Sequence, residues 1–181
     1  MKRQTSNHDW AESPQLVALA AMERLRSGRP CLLRVGSKSM QPLLKIGHRV
    51  LLEPCTHSDL QKGDLVAFES NGDLVLHRVL MTDGNQVLEK GDNSPSATCI
   101  HQNSVVARAS RVYEPRVIDL RSTRNIRLAT LVAWLSAMEN KFSQPRRSVN
   151  PLAVFRAVMR RAIRRAIVFL SRFHRAETQK R

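Results

Sequence analysis

Between Val35 and Val50 the chain reads VGSKSMQPLLKIGHRV, which sets Ser37 and Ser39 two residues apart and follows them with Met40 and Pro42. A serine hydroxyl becomes a nucleophile only when a base takes its proton, and acyl transfer also needs donors aimed at the developing oxyanion. A base and an acid both stand downstream. His77 lies in LVLHRVL, and an ordinary imidazole, with a pKa of about 6.5, is neutral often enough near pH 7 to accept that proton. Asp92 lies in LEKGDNS, just after Gly91, where a carboxylate could orient the imidazole and stabilise its charged form. Each residue alone also has an ordinary reading, since serine before proline and aspartate after glycine are common turn residues.

Four blocks in chain order sharpen the choice: Ser37-Lys38-Ser39-Met40-Gln41-Pro42-Leu43-Leu44, Lys62-Gly63-Asp64-Leu65-Val66, His77-Arg78-Val79 and Lys90-Gly91-Asp92-Asn93. Together they resemble the signal peptidase superfamily of serine peptidases, which also contains the self-cleaving SOS-type repressors. The resemblance runs from about Val35 to Val112. Its His-Arg-Val block is that of the archaeal and endoplasmic-reticulum signal peptidases, whereas bacterial-type enzymes and the repressors carry a lysine base.

The resemblance implies a mainly β fold of signal-peptidase/repressor type and a serine endopeptidase that cuts a peptide or precursor protein without a cofactor. It further implies Ser39 as nucleophile, His77 as general base and Asp92 as orienting acid, with the Ser39 N–H and the Ser37 hydroxyl as oxyanion donors. Asp64, in a similar Gly-Asp turn, is the reserve choice for the acid. The family pattern fails in three places. Gly47-His48 replaces Gly-Asp, the second acidic residue expected beyond Asp92 is missing from NSPSATC, and no N-terminal transmembrane anchor is expected from these residues.

The elements that must position these residues follow from the apolar pattern. Ser13 before Pro14 is an N-cap signal, and PQLVALAAMERLRSG reads as a short helix ending at Gly28. PCLLRV, HRVLLEP, DLVAFES, DLVLHRVL, NQVLEK and NSVVARASRVY read as strands of a mostly antiparallel sheet, separated by turn signals such as Asn71-Gly72-Asp73 and Asp83-Gly84-Asn85. Beyond Pro115, NIRLATLVAWLSAMENKFS reads as a helix, and a second runs from about Pro151 to His174. The expected organisation is an N-terminal tail and helix over 1–30, a catalytic β domain over 31–115, and a basic helical extension over 116–181.

Charge belongs mainly to that extension. Of 30 Lys and Arg and 15 Asp and Glu, residues 114–181 hold 16 basic and 4 acidic. In the last helix Arg156, Arg160, Arg161, Arg164, Arg165 and Arg172 accompany an apolar stripe of Leu152, Phe155, Met159, Ile163, Ile167, Leu170 and Phe173. Such a basic amphipathic helix suits an anionic membrane surface. Nucleic acid is not expected, because no zinc finger, helix-turn-helix or aromatic stacking pattern accompanies the charge.

Three cysteines at wide spacing make a poor disulfide framework and fit a reducing compartment. Cys55-Thr56-His57 and Cys99-Ile100-His101 match no common zinc spacing, so no metal is expected. The N-terminal residues lack the apolar core of a secretory signal, and no window reaches the roughly 18 apolar residues of a membrane span. The expected location is therefore cytoplasmic, peripheral to the inner membrane face.

Two other readings stand beside the peptidase. A self-cleaving repressor is disfavoured by the histidine base, the short N-terminal segment and the absence of an Ala-Gly pair. A catalytically silent module that binds peptides or recruits partners to a membrane belongs to a different class.

Overall fold

The computed structural model describes residues 14–113, 117–143 and 152–173, with side chains omitted at 14, 142–143, 152–156 and 171–173. Eight strands form one sheet in which every pairing is antiparallel: β1 (Cys31–Arg34), β2 (Arg49–Glu53), β3 (Leu65–Ser70), β4 (Asp73–Asp83), β5 (Gln86–Lys90), β6 (Thr98–His101), β7 (Val105–Tyr113) and β8 (Ile118–Asp119). Their order is β1-β2-β7-β3-β4-β5-β6, with β8 paired to β7. The protein is thus β-rich, with one N-terminal and two C-terminal helices, as its patterning implies.

Turn chemistry sets the central hairpin. Asn71 (φ 52°) and Gly72 (φ 82°) connect the Ser70–Asp73 pair through two left-handed residues, the combination that matches the twist of β3 and β4. Period-two alternation then sorts β3 onto two cores. Leu65 and Ala67 join Val50, Leu52, Ala107 and Val112 on one face, while Val66 and Phe68 join Val79 and Val87 on the other. Two strands lack an apolar signature in the sequence. Thr98–His101 is a short, largely exposed edge strand on β5, and Ile118–Asp119 is only two residues long.

Helix α1 (Pro14–Arg26) ends where expected, because Gly28 takes a left-handed φ of 78° and Arg29 N–H donates to the Arg24 carbonyl. The proposed cap Ser13 lies outside the described residues. The helix buries Ala18, Ala21, Met22 and Leu25. Helix α2 (Thr123–Ser143) begins two residues before the expected Asn125, and Ser122 Oγ accepts from Asn125 N–H. Helix α3 (Leu152–Phe173) packs Ile163 and Ile167 against Val132 of α2.

Two contacts fix α2 on the sheet. Gly63, at φ 100°, lies so close to α2 that an added Cβ would stand 2.7 Å from the Ala129 carbonyl carbon and the Thr130 nitrogen. Only glycine permits both that backbone angle and that approach. Lys90 Nζ of β5 donates to Glu139 Oε2 of α2 at 2.7 Å, with both side chains 1% exposed. Removing one partner of such a buried pair costs roughly 3–5 kcal/mol.

Candidate active site

The loop between β1 and β2 is closed at its neck, where Gly47 N–H donates to the Val35 carbonyl at 2.9 Å and Val35 N–H to the His48 carbonyl at 2.8 Å. Met40, Leu43 and Leu44 anchor its middle in the core, and the Gln41–Pro42 peptide bond is cis. This leaves Ser39 half-buried between an exposed lysine and a buried methionine. Its Oγ lies 3.1 Å from Ser37 Oγ. The Ser39 N–H donates no hydrogen bond among the described residues. The Ser37 hydroxyl, one of the two expected oxyanion donors, therefore adjoins the Ser39 hydroxyl. His48, where the family pattern has aspartate, accepts from Lys45 N–H at Nδ1 and so closes the last turn of the loop.

His77 lies on β4, with its ring edge-on to Phe68, 5.8 Å between centroids. Its Nδ1 meets Glu89 Oε2 of β5 at 2.5 Å, and the two side chains are 17% and 5% exposed. A carboxylate at Nδ1 holds the proton there, which leaves the Nε2 lone pair as the basic site.

The carboxylate at His77 Nδ1 is thus Glu89 and not the expected Asp92. Asp92 instead receives two hydrogen bonds from Arg78, from Nε to Oδ1 and from Nη2 to Oδ2, each 2.7 Å, while Arg78 Nη1 donates to the Gly63 carbonyl at 2.9 Å. Arg78 and Asp92 are both buried and form a fork that locks the β4–β5 end to the Gly63 turn.

The cause of this exchange is a β-bulge. From the turn the pairs run Asp83 with Gln86, Thr82 with Val87 and Met81 with Leu88; Leu80 is then passed over, and Val79 pairs with Glu89 and Arg78 with Lys90. Without the bulge, the same hairpin register would set His77 directly across from Asp92. The one-residue shift instead gives the His77 face Glu89 and Gly91, and leaves Asp92 on the face of Arg78 and Lys90.

Ser39 and His77 converge at Gly91. A Cβ built there would stand 2.8 Å from the Ser39 carbonyl oxygen and 3.0 Å from His77 Nε2, with Ser94 Oγ also in contact. The Ser39 carbonyl accepts from Asn93 N–H at 2.7 Å, so the Ser39 loop is hydrogen-bonded to the strand end that carries Glu89. No hydrogen bond joins Ser39 Oγ to His77 Nε2 among the described residues.

Beside Ser39 lies a mostly apolar cleft of about 570 Å³, walled by Val17 and Ala18 of α1, Leu33 of β1, Met40, and Leu74 and Leu76 of β4. It is roughly the size of a pocket for several side chains.

Asp64 Oδ2 accepts from Gln61 N–H and from Arg108 Nη1, which gives it a structural place in its turn. Cys55 is partly buried, and that burial pushes its thiol up to about 11, the wrong direction for a thiolate ligand. No cluster of three His, Cys, Asp or Glu side chains suited to a metal occurs among the described residues.

The arginines of α3 divide. Arg160 Nε and Arg164 Nη1 turn inward toward Glu139 Oε1, at 3.9 and 3.7 Å, whereas Arg161 and Arg165 are exposed beside Val158 and Phe169. The side chains of Arg156 and Arg172 lie outside the described ones. No helix among the described residues is long and apolar enough to cross a membrane. A scan against protein-family models finds no match for the chain, and a search of curated proteins finds none.

Proposed function

We propose that the chain is a serine endopeptidase of the signal peptidase type, with a fold of that kind, acting on a peptide or precursor protein through Ser39, His77 and Glu89. The observation that carries this reading is that the Ser39 backbone carbonyl and His77 Nε2 both border Gly91, which brings the Ser39 loop beside the imidazole, while Glu89 occupies Nδ1. Ser39 Oγ attacks the scissile carbonyl carbon as His77 Nε2 takes its proton. The imidazolium is stabilised by Glu89, and the oxyanion accepts from the Ser39 N–H and the Ser37 hydroxyl. His77 then returns the proton to the leaving amine. Water, deprotonated by the same imidazole, hydrolyses the ester and restores Ser39. One positioned imidazole contributes roughly a thousandfold, or about 4 kcal/mol of barrier.

The apolar cleft beside Ser39 suits an extended segment with aliphatic side chains. The odd, widely spaced cysteines support a cytoplasmic setting. The outward Arg161 and Arg165, with exposed Phe169 nearby and half-exposed Trp134 on α2, support peripheral contact with an anionic bilayer.

A catalytically silent peptide-binding module is the second reading. It is favoured by one observation, that the Ser39 hydroxyl pairs with Ser37 rather than with the imidazole. Incubation of the full chain with a complex peptide library separates the two. New N-termini that appear with the parent chain and vanish with Ser39→Ala support the peptidase; cleavage that survives Ser39→Ala, or none with the parent, overturns it.

A further inference from the structure

Resting on the acyl-transfer reading of Ser39, we propose that Arg164 of the last helix is a positioning residue for the nucleophile loop, acting through Asn93. Arg164 Nη2 donates to both the Asn93 carbonyl and Asn93 Oδ1, each at 3.0 Å. Asn93 in turn donates twice to the loop, from N–H to the Ser39 carbonyl at 2.7 Å and from Nδ2 to the Lys38 carbonyl at 3.3 Å. One guanidinium therefore fixes which way the Asn93 amide faces, because its oxygen takes the arginine and its nitrogen is left for Lys38.

The link matters because Asn93 is itself exposed, so its bonds to the loop have water as a competitor. Arg164 does not float. It sits one residue beyond buried Ile163 and three before buried Ile167, both packed on Val132, and its Nη1 faces Glu139, the carboxylate that pairs with Lys90. The apolar seam between α2 and α3 is thereby transmitted to the Ser39 carbonyl. Ser39 and His77 approach Gly91 without a mutual hydrogen bond, so the loop's placement sets the distance between hydroxyl and base. A misplacement of about 1 Å from a change remote from the chemistry can cost roughly a hundredfold in rate.

The test uses the full chain and a fluorophosphonate probe that acylates active serines, with rate measured against probe concentration well below the melting temperature. Arg164→Ala should lower the maximal labelling rate of Ser39 about tenfold with half-saturation unchanged. Asn93→Ala should lose a similar factor, the double variant no more than either alone, and Arg164→Lys should recover part. A folded Arg164→Ala chain labelled within about twofold of the parent, or losses that multiply in the double variant, would overturn the proposal.

A second readout does not need activity. Hydrogen exchange at the Asn93 amide, followed by NMR, should accelerate at least about tenfold in Arg164→Ala. Unchanged protection contradicts the link. If the parent chain takes no label at Ser39, the acyl-transfer reading fails by itself, and exchange alone decides whether Arg164 holds the loop.

Discussion

Glu89 and Asp92 stand three residues apart at one strand end, yet substitution should affect them in opposite ways. Glu89→Gln keeps the shape but loses the charge that holds the His77 proton at Nδ1, so the acylation rate should fall by roughly a hundredfold or more. Asp92→Asn should instead weaken the buried fork with Arg78 and cost roughly 3–5 kcal/mol, a fall in Tm of about 10 °C. Rates and melting curves of the two variants, measured side by side, check this; equal effects on both quantities would refute the division of roles. Ser39, Ser37 and His77 were legible in the sequence because each belongs to a short block. The carboxylate that meets His77 Nδ1 was not, because its identity depends on Leu80 being passed over in the β4–β5 pairing. An apolar residue in an apolar run gives no sign of a bulge.

At the level of elements, Gly91 is the meeting point of β5, the Ser39 loop and β4. Gly91→Ala places a methyl within 3.0 Å of both the Ser39 carbonyl and His77 Nε2. The expected result is a cost of about 1–3 kcal/mol in stability and loss of most acylation, since loop and imidazole must separate to admit it. Activity near that of the parent would show that neither moves. The helices and six of the strands are legible because their apolar periods are long or cleanly alternating. Thr98–His101 and Ile118–Asp119 were not, as an exposed edge and a two-residue strand impose no pattern on side chains. The Gly63-Asp64 turn was legible as a motif but not as packing, because its contact is with the backbone of α2, some 65 residues later in the chain.

For the whole molecule, the charge asymmetry acquires a direction. Arg160 and Arg164, with side chains 40% and 37% exposed, point toward Glu139, whereas Arg161 and Arg165 are exposed and would meet an anionic surface most fully. Vesicle flotation should therefore show binding to phosphatidylserine-containing bilayers that falls in Arg161→Ala/Arg165→Ala, by about 1 kcal/mol per arginine, and weakens with salt. Equal partition to neutral and anionic vesicles would remove the membrane from the account. Composition alone could announce the basic tail, but not which arginines turn inward, since that choice is set by the burial of Ile163 and Ile167 on α2.

The claim on which the rest depends is that Ser39 is a nucleophile served by His77. Mapping a fluorophosphonate adduct on the full chain at pH 8 by mass spectrometry tests it most directly. One adduct is expected, on Ser39, that disappears in His77→Ala while the folded state persists. An unlabelled Ser39 in the parent chain, or a label that His77→Ala leaves intact, would contradict it.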